Sequence, residues 1–462
     1  MIFRTRARMI LIALTASATL TGCAVPRAKL PHQPVPATYL RGTPSVRSPL
    51  DQSWWQRFKN PGLNRLIAAA QAHSPTIAAA EAAVSRARAN AQAANGAFLP
   101  QVSLNPQESR QAFPTGPNGF GAYTIFQVTG TLSYNPGLFG ARSSAFRNGQ
   151  ARIAYRRASA AAARLSVADA LVNAAITEAG LQAQIDTEKK IAASERHLLT
   201  LLNGERRAGA IARLPVLQQR AQLQATLAQI PTLQAAASVQ RHAIAVLAGI
   251  PPAQLTGAHF RLVDFALPPN PPLSLPSILV AQRPDIIAAR ALVSADHAAV
   301  GEAIAALYPS LNLSAQGGYA AETLNTLFQP SAALWTLAGS LLAPVFEGGV
   351  LHGHERAAQA NLAAALAQYR QTVLTAFQQV ADGLRLLQAA RATVSDDRAS
   401  ARTAKAAYRL ARAQYRLGAV SYNTVLTTEI AWQQAVLAQR QADTTRLLDA
   451  AALRAALAGV PR

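Results

Sequence analysis

Two stretches of the chain, SPTIAAAEAAVSRARANAQAANGAFLPQVSLN at Ser74–Asn105 and RPDIIAARALVSADHAAVGEAIAALYPSLNLS at Arg283–Ser314, align without a gap at about a third of their positions. Pro75 meets Pro284 and Pro100 meets Pro309, each pair 209 residues apart. The same offset returns where RRAGAIARLPVL from Arg206 faces YRLGAVSYNTVL from Tyr415 and sets Gly209 opposite Gly418. The chain is therefore a duplicated unit, with repeat one over 51–250 and a linker plus repeat two over 251–462. Each copy reads as helix, strand hairpin, long helix, turn and helix.

The strand expectation rests on alternation. Phe126, Val128, Leu132 and Tyr134 alternate with Gln127, Thr129, Thr131 and Ser133. Val102 and Leu104 alternate with Gln101, Ser103 and Asn105, and Leu311 and Leu313 alternate with Ser310, Asn312 and Ser314. A fourth strand, Ala333 to Leu341 around Trp335, alternates poorly. Turn-rich loops at Phe113–Gly121 and Gly317–Ser331 complete two hairpins, about 99–134 and 308–342. A membrane barrel strand and a soluble sheet with one wet face share this pattern. Between the hairpins, Ala141 to about Leu202 and Leu351 to about Leu417 are nearly free of central Gly and Pro, which allows helices of roughly 60 residues and about 90 Å. Helices of that length need partners in water, and their alanines suit close coiled-coil seams. No internal run reaches the 18 or so apolar residues of a membrane helix, so the expectation is that any crossing uses strands. Bacterial barrels start at about eight strands, whereas one chain supplies four, so protomers must share a barrel.

The N-terminus carries Arg4, Arg6 and Arg8, then an apolar run from Met9 to Thr19, the signature of an export signal. Leu20-Thr21-Gly22-Cys23 resembles a bacterial lipobox, which implies removal of 1–22, covalent lipid on Cys23 and a lipid-anchored, proline-rich 23–50 segment. Cys23 is the one cysteine, so no intrachain disulfide forms. The net charge is +22, falling to +19 without the three signal arginines. For an exported chain without zinc-finger spacing or an aromatic RNA-binding stretch, nucleic acid is excluded as a partner and the arginines read as solvated helix faces. His352 and His354 lie on different helix faces, which argues against a metal, and Gly348-Gly349 lacks the lysine of a phosphate loop. Asp285 beside Pro284 reads as a helix N-terminal residue, and no nucleophile, base and orienting group recur at a usable spacing. Neither an enzyme nor a cofactor is expected.

With the lipobox and the duplication in view, WWQRFKNPGLNRLIAAAQAHSPTIAAA from Trp54, QRPDIIAAR from Gln282, YPSLNLS from Tyr308 and LLAPVFEGGVL from Leu341 together resemble the TolC-type outer-membrane efflux lipoproteins. The resemblance implies a mainly α fold with a membrane β-barrel part. Long antiparallel coiled-coil helices would form an α-barrel tunnel in the periplasm, and four strands per protomer would build a twelve-stranded barrel in a homotrimer. It also implies a passive exit duct in the outer membrane, served by a periplasmic adaptor and an inner-membrane pump of the RND type, with outer-membrane lipids around the barrel. Val102, Leu104, Phe126, Val128, Leu132, Tyr134, Leu311 and Leu313 would then face lipid. Gly209 with Val216 and Leu217, and Gly418 with Ser421, Asn423, Val425 and Leu426, would form the adaptor-docking or gate turns. The sequence departs from the family where Pro215 and Thr424 replace an acid before the valine and where Gly137 replaces another. Pro215 is expected to start the second helix of repeat one. The alternatives are a duct for secreted proteins and a lipid-anchored coiled-coil scaffold without a pore.

Overall fold

The computed structural model describes residues 52–116, 119–255, 259–269 and 276–459; Cys23, the signal stretch and the 23–50 segment lie outside the described residues. Repeat one contains α1 Pro61–His73, α2 Pro75–Gly96, β1 Gln101–Gly116, β2 Gly119–Tyr134, α3 Ala141–Arg207 and α4 Arg213–Leu247. Repeat two contains α5 Pro276–Gln282, α6 Pro284–Ala305, β3 Ser310–Ala321, β4 Ala333–Leu342, α7 Val350–Arg416 and α8 Tyr422–Ala456. The duplication holds to the residue: α2 and α6 have 22 residues each, α3 and α7 have 67, and α4 and α8 have 35. Local chemistry sets the starts. Asn60 caps α1 by accepting from the Leu63 N–H at 3.0 Å, and proline opens α1, α2 and α6, where a missing N–H costs nothing. Gly137 precedes α3 with φ 65°, and an added Cβ would lie 2.8 Å from the Phe98 ring, which accounts for glycine here in place of the acid.

The chain divides into two compact units. One, built from 83–157 and 288–370, holds an antiparallel sheet in the order β1-β2-β3-β4. Its register pairs Val102 with Leu132, Leu132 with Ala315 and Ala315 with Leu337. Directly paired residues share a face, so the eight apolar residues singled out above occupy one face together with Trp335, Leu337 and Leu341. Gln101, Ser103, Thr131, Ser133, Asn312, Ser314, Thr336 and Ser340 line the other. Val102, Trp335 and Leu337 are each at least three-quarters exposed (76%, 78% and 75%), whereas Phe126, Val128, Tyr134 and Leu311 are half-buried, so among the described residues the apolar face is uncovered most at β1 and β4. Pro106 is tolerated because β1 lies at the sheet edge.

Both expected loops are shorter than their composition suggests. β1 continues through Pro114 to Gly116 and β2 starts at Gly119, so most of Phe113–Gly121 is paired. β3 continues through Gly317 to Ala321 and pairs with Phe126–Gly130, which corrects the loop start at Gly317. Glycine there reflects crowding and not a turn: a Cβ on Gly318 would sit 2.1 Å from the Val128 carbonyl oxygen.

The other unit comprises, among the described residues, those within 52–82, 158–287 and 371–459. Its core joins Trp54, Phe58, Leu63 and Ile67 to Leu171, Val172 and Ile176 of α3, Ile244 of α4, Phe260, Phe265 and Ala451 of α8. Trp54, Phe58 and Phe265 meet edge to face at 6.3 and 6.5 Å. Glu178 of α3 is buried there and accepts the Phe260 N–H at 3.1 Å, which ties the non-helical 259–269 stretch to the helix. One 18-residue window of α3 reaches a mean hydropathy of 1.2, long and apolar enough to cross a membrane. This qualifies the expectation drawn from consecutive apolar residues: alanine raises the mean between polar residues, while the Val167–Ala179 part of the helix packs into this core.

Candidate functional site: the paired helix turns

Both turns close with the same hydrogen bonds. Gly209 donates to the Arg206 carbonyl at 3.1 Å and Ala210 to Glu205 at 2.9 Å; Gly418 donates to Tyr415 and Ala419 to Gln414, both at 2.9 Å. This double bond pattern satisfies the last carbonyls of α3 and α7, and it requires the left-handed backbone that Gly209 and Gly418 adopt, φ 76° and 71°. α4 then begins at Arg213, so Pro215 is its third residue and not its first. The position is still free of strain, because the first four N–H groups of a helix lack intrahelical partners. Ser421, Asn423 and Thr424 are exposed, with the Ser421 and Thr424 hydroxyls 3.4 Å apart.

The structure brings the two turns into one cluster. Val216 and Val425 are buried together among Leu198, Leu202, Tyr408 and Tyr422, with Leu426 packed against them. Leu217, in contrast, is 43% exposed, and Leu214 and Leu417 stand out further at 63% and 84%. The valine of each pair is core and the first leucine is surface, as one residue's rotation on a helix requires.

Behind this cluster lies a buried polar layer that links α3, α4, α7 and α8. Glu195 and Glu429 are both fully buried. Glu195 Oε1 accepts Thr226 Oγ1 at 3.1 Å and Gln433 Nε2 at 2.8 Å, and its backbone carbonyl accepts Gln219 Nε2 at 3.3 Å. Tyr422 donates its hydroxyl to Gln219, and Tyr408 donates to Glu429 Oε1 at 3.3 Å. Nearer the turns, Tyr415 donates to Glu205 Oε2 at 3.1 Å, a direct tie between the two helical hairpins. The second oxygens of Glu195 and Glu429 have no hydrogen-bond partner among the described residues. Burial first, then the charge of Glu195, pushes the Glu429 carboxyl up to about 7; the Tyr408 bond and Arg412 oppose this without reversing it. Burial and then the Glu429 charge push the Tyr408 phenol up to about 12. Such a layer holds one helix arrangement and penalises others, since separating the helices strands buried polar atoms.

The family model described as outer membrane efflux protein matches residues 66–250 and again 275–459, two segments with the same 209-residue offset. The chain belongs to the outer membrane efflux protein family. Within this family, the pyoverdine export outer membrane protein OpmQ of Pseudomonas putida is 30% identical over 388 residues, covering 81% of each chain. The toluene efflux pump outer membrane protein TtgF of Pseudomonas putida is 28% identical over 410 residues, covering 85% of this chain and 83% of its own. Among solved structures, the outer-membrane channel OprN superposes with a TM-score of 0.87 at 26% identity over 95% of this chain and 99% of its own. The open state of the MtrE channel of Neisseria gonorrhoeae gives 0.83 at 25% identity over 95% and 98%. This efflux protein therefore combines an α-barrel part with a β-barrel part and acts in the outer membrane as an exit duct.

The glycine and valine positions of the efflux turns were legible in the sequence, and the polar layer behind them was not. A signal existed in the failure of the duplication at these sites. Glu429 faces Arg220 across the offset, Tyr408 faces Leu199, and Glu195 faces Ala404, so each departs from its copy where the packing valines repeat.

Proposed function

We infer that three copies of this duct assemble a shared twelve-stranded barrel, and that the paired turns at Gly209 and Gly418 form the gated, adaptor-facing end. The observation that supports the trimer is the sheet: one apolar face runs across all four strands, and β1 and β4 are open edges among the described residues. Open edges cannot remain unpaired in hydrocarbon, and four strands are too few to close. The eight residues Val102, Leu104, Phe126, Val128, Leu132, Tyr134, Leu311 and Leu313 then face lipid, and Cys23 carries the covalent lipid. Transport through the duct is passive and performs no catalysis; energy comes from an inner-membrane pump through a periplasmic adaptor that docks on the exposed Leu214, Leu217 and Leu417. Opening proceeds by separation of the two hairpins at the Tyr415–Glu205 tie. The relatives named for pyoverdine export and toluene efflux support small molecules as cargo. Electron microscopy of the detergent-extracted protein tests the assembly: three-fold particles are expected, and monomers or particles without a barrel would overturn it.

A further inference from the structure

The sheet-bearing unit contains a cavity of about 600 Å³ that the duct reading does not use. It is lined by Arg86 and Asn90 of α2, Asn148, Arg152, Tyr155 and Arg156 of α3, and Glu302 of α6. The helices approach closely beside it, since a Cβ on Gly149 would fall 2.9 Å from that of Ala91. The polar groups are held in place. Glu302 accepts Asn148 Nδ2 at 2.9 Å, and Asn148 Oδ1 in turn accepts Arg152 Nε at 2.7 Å, which leaves both Nη groups of Arg152 for another partner. The Arg156 guanidinium sits 5.0 Å from the Tyr155 ring centre. Among the described residues no ion pair holds Arg86, Arg152 or Arg156. The one further acid facing Arg152, Asp296, has its carboxyl raised by burial against the pull of that arginine.

The duplication supplies an internal control. At an offset of 209 residues, Arg86 corresponds to Ala295, Asn90 to Ala299, Asn148 to Ala357, Arg152 to Asn361, Tyr155 to Ala364 and Arg156 to Ala365. The same helical scaffold is thus built in repeat two without the basic set, so helix formation does not demand these side chains. Three arginines lining one concave, water-accessible space are suited to an oxyanion, to which guanidinium binds through paired charge-assisted hydrogen bonds.

We propose that this cavity is a binding site for an organic anion bearing a phosphate or carboxylate group. Two sources share that chemistry: a lipid headgroup, since α2 ends at Gly96 just before β1 begins at Gln101, and a soluble anion in the duct. The lipid source rests on the barrel reading of this sheet; the soluble source does not.

The test uses the full-length protein in a non-ionic detergent, with glycerol 3-phosphate and short-chain phosphatidylglycerol as probes in native mass spectrometry. Binding of at least one probe is expected, weakened at least about tenfold by Arg86→Gln with Arg152→Gln, weakened by salt, and unchanged by Arg88→Gln, an exposed arginine outside the cavity. Phosphatidylglycerol binding tenfold or more tighter than glycerol 3-phosphate assigns the headgroup; equal affinities assign the soluble anion. Should the double variant not fold, Arg86→Gln alone decides, because Arg86 is exposed and its replacement leaves the Asn148–Arg152 bonds intact. Binding of neither probe, or binding that Arg86→Gln leaves unchanged, overturns the proposal. Glycerol 3-phosphate needs no membrane and no transport, so its result stands whatever particle symmetry is observed.

Discussion

Replacing Glu429 with glutamine isolates the ionisation of the buried layer. The Glu429 carboxyl is shifted from 4.5 to about 7, chiefly by burial. At about 1.4 kcal/mol per pH unit, the ionised form costs the folded site about 3 kcal/mol relative to an exposed glutamate. The folded site holds the proton up to about pH 7, whereas the unfolded chain releases it near 4.5. The native state thus binds more protons between those values, and its stability falls as pH rises through that window; below it this group adds no pH dependence, and above it the full cost of the buried charge persists without further change. Glutamine keeps an oxygen where Tyr408 donates at 3.3 Å and cannot ionise. Hydrogen exchange of the Tyr422–Gln433 amides, corrected for intrinsic rates, reads the local opening free energy. Wild-type protection is expected to fall by about 100-fold from pH 5 to pH 8, the equivalent of about 3 kcal/mol, while Glu429→Gln loses less than about threefold and exceeds wild type at pH 8. Equal slopes in the two proteins, or wild-type protection that rises with pH, would refute the argument.

Three further outcomes follow from the same geometry. Tyr415→Phe removes the 3.1 Å bond to Glu205, worth about 1 kcal/mol, and is expected to raise the conductance of the reconstituted protein in planar bilayers, with no change if this tie does not restrain the turns. Gly318→Ala forces a Cβ against the Val128 carbonyl and is expected to destabilise the sheet by about 3 kcal/mol, whereas Gly317→Ala, with nothing within 4 Å, is tolerated; heat-resistant assembly on gels distinguishes them. Val128→Arg places a charge on the apolar face and is expected to abolish recovery from the outer-membrane fraction, at a cost of about 2–4 kcal/mol at mid-bilayer, whereas a sheet outside lipid would carry it without loss.

The sequence alone determined the duplication, the start of α6 at Pro284 and the turn glycines, because these depend on local requirements, whereas α4 starts two residues before the expected Pro215. Proline opens a helix where its missing N–H is harmless, glycine adopts the left-handed cap, and alternation states which residues share a strand face, all within a few positions of the chain. The apolar face was readable for the same reason over β1, β2 and β3, where its eight named residues lie, whereas β4 alternates poorly and joins the face only through its pairing. Pairing was not local. The stretches near Phe113 and Gly317 look like turns by composition, and only the partner strand, with a backbone too close for a side chain at Gly318, draws them into the ladder. The tertiary structure also decided which polar residues are buried. Glu195 and Glu429 lie 234 positions apart and resemble the many exposed acids of alanine-rich helices, until four helices close around them and desolvation sets their chemistry. Arg86 and Arg152 likewise become one site only when α2 and α3 pack side by side, since an arginine's partner is fixed by the surface it meets and not by its neighbours in the chain.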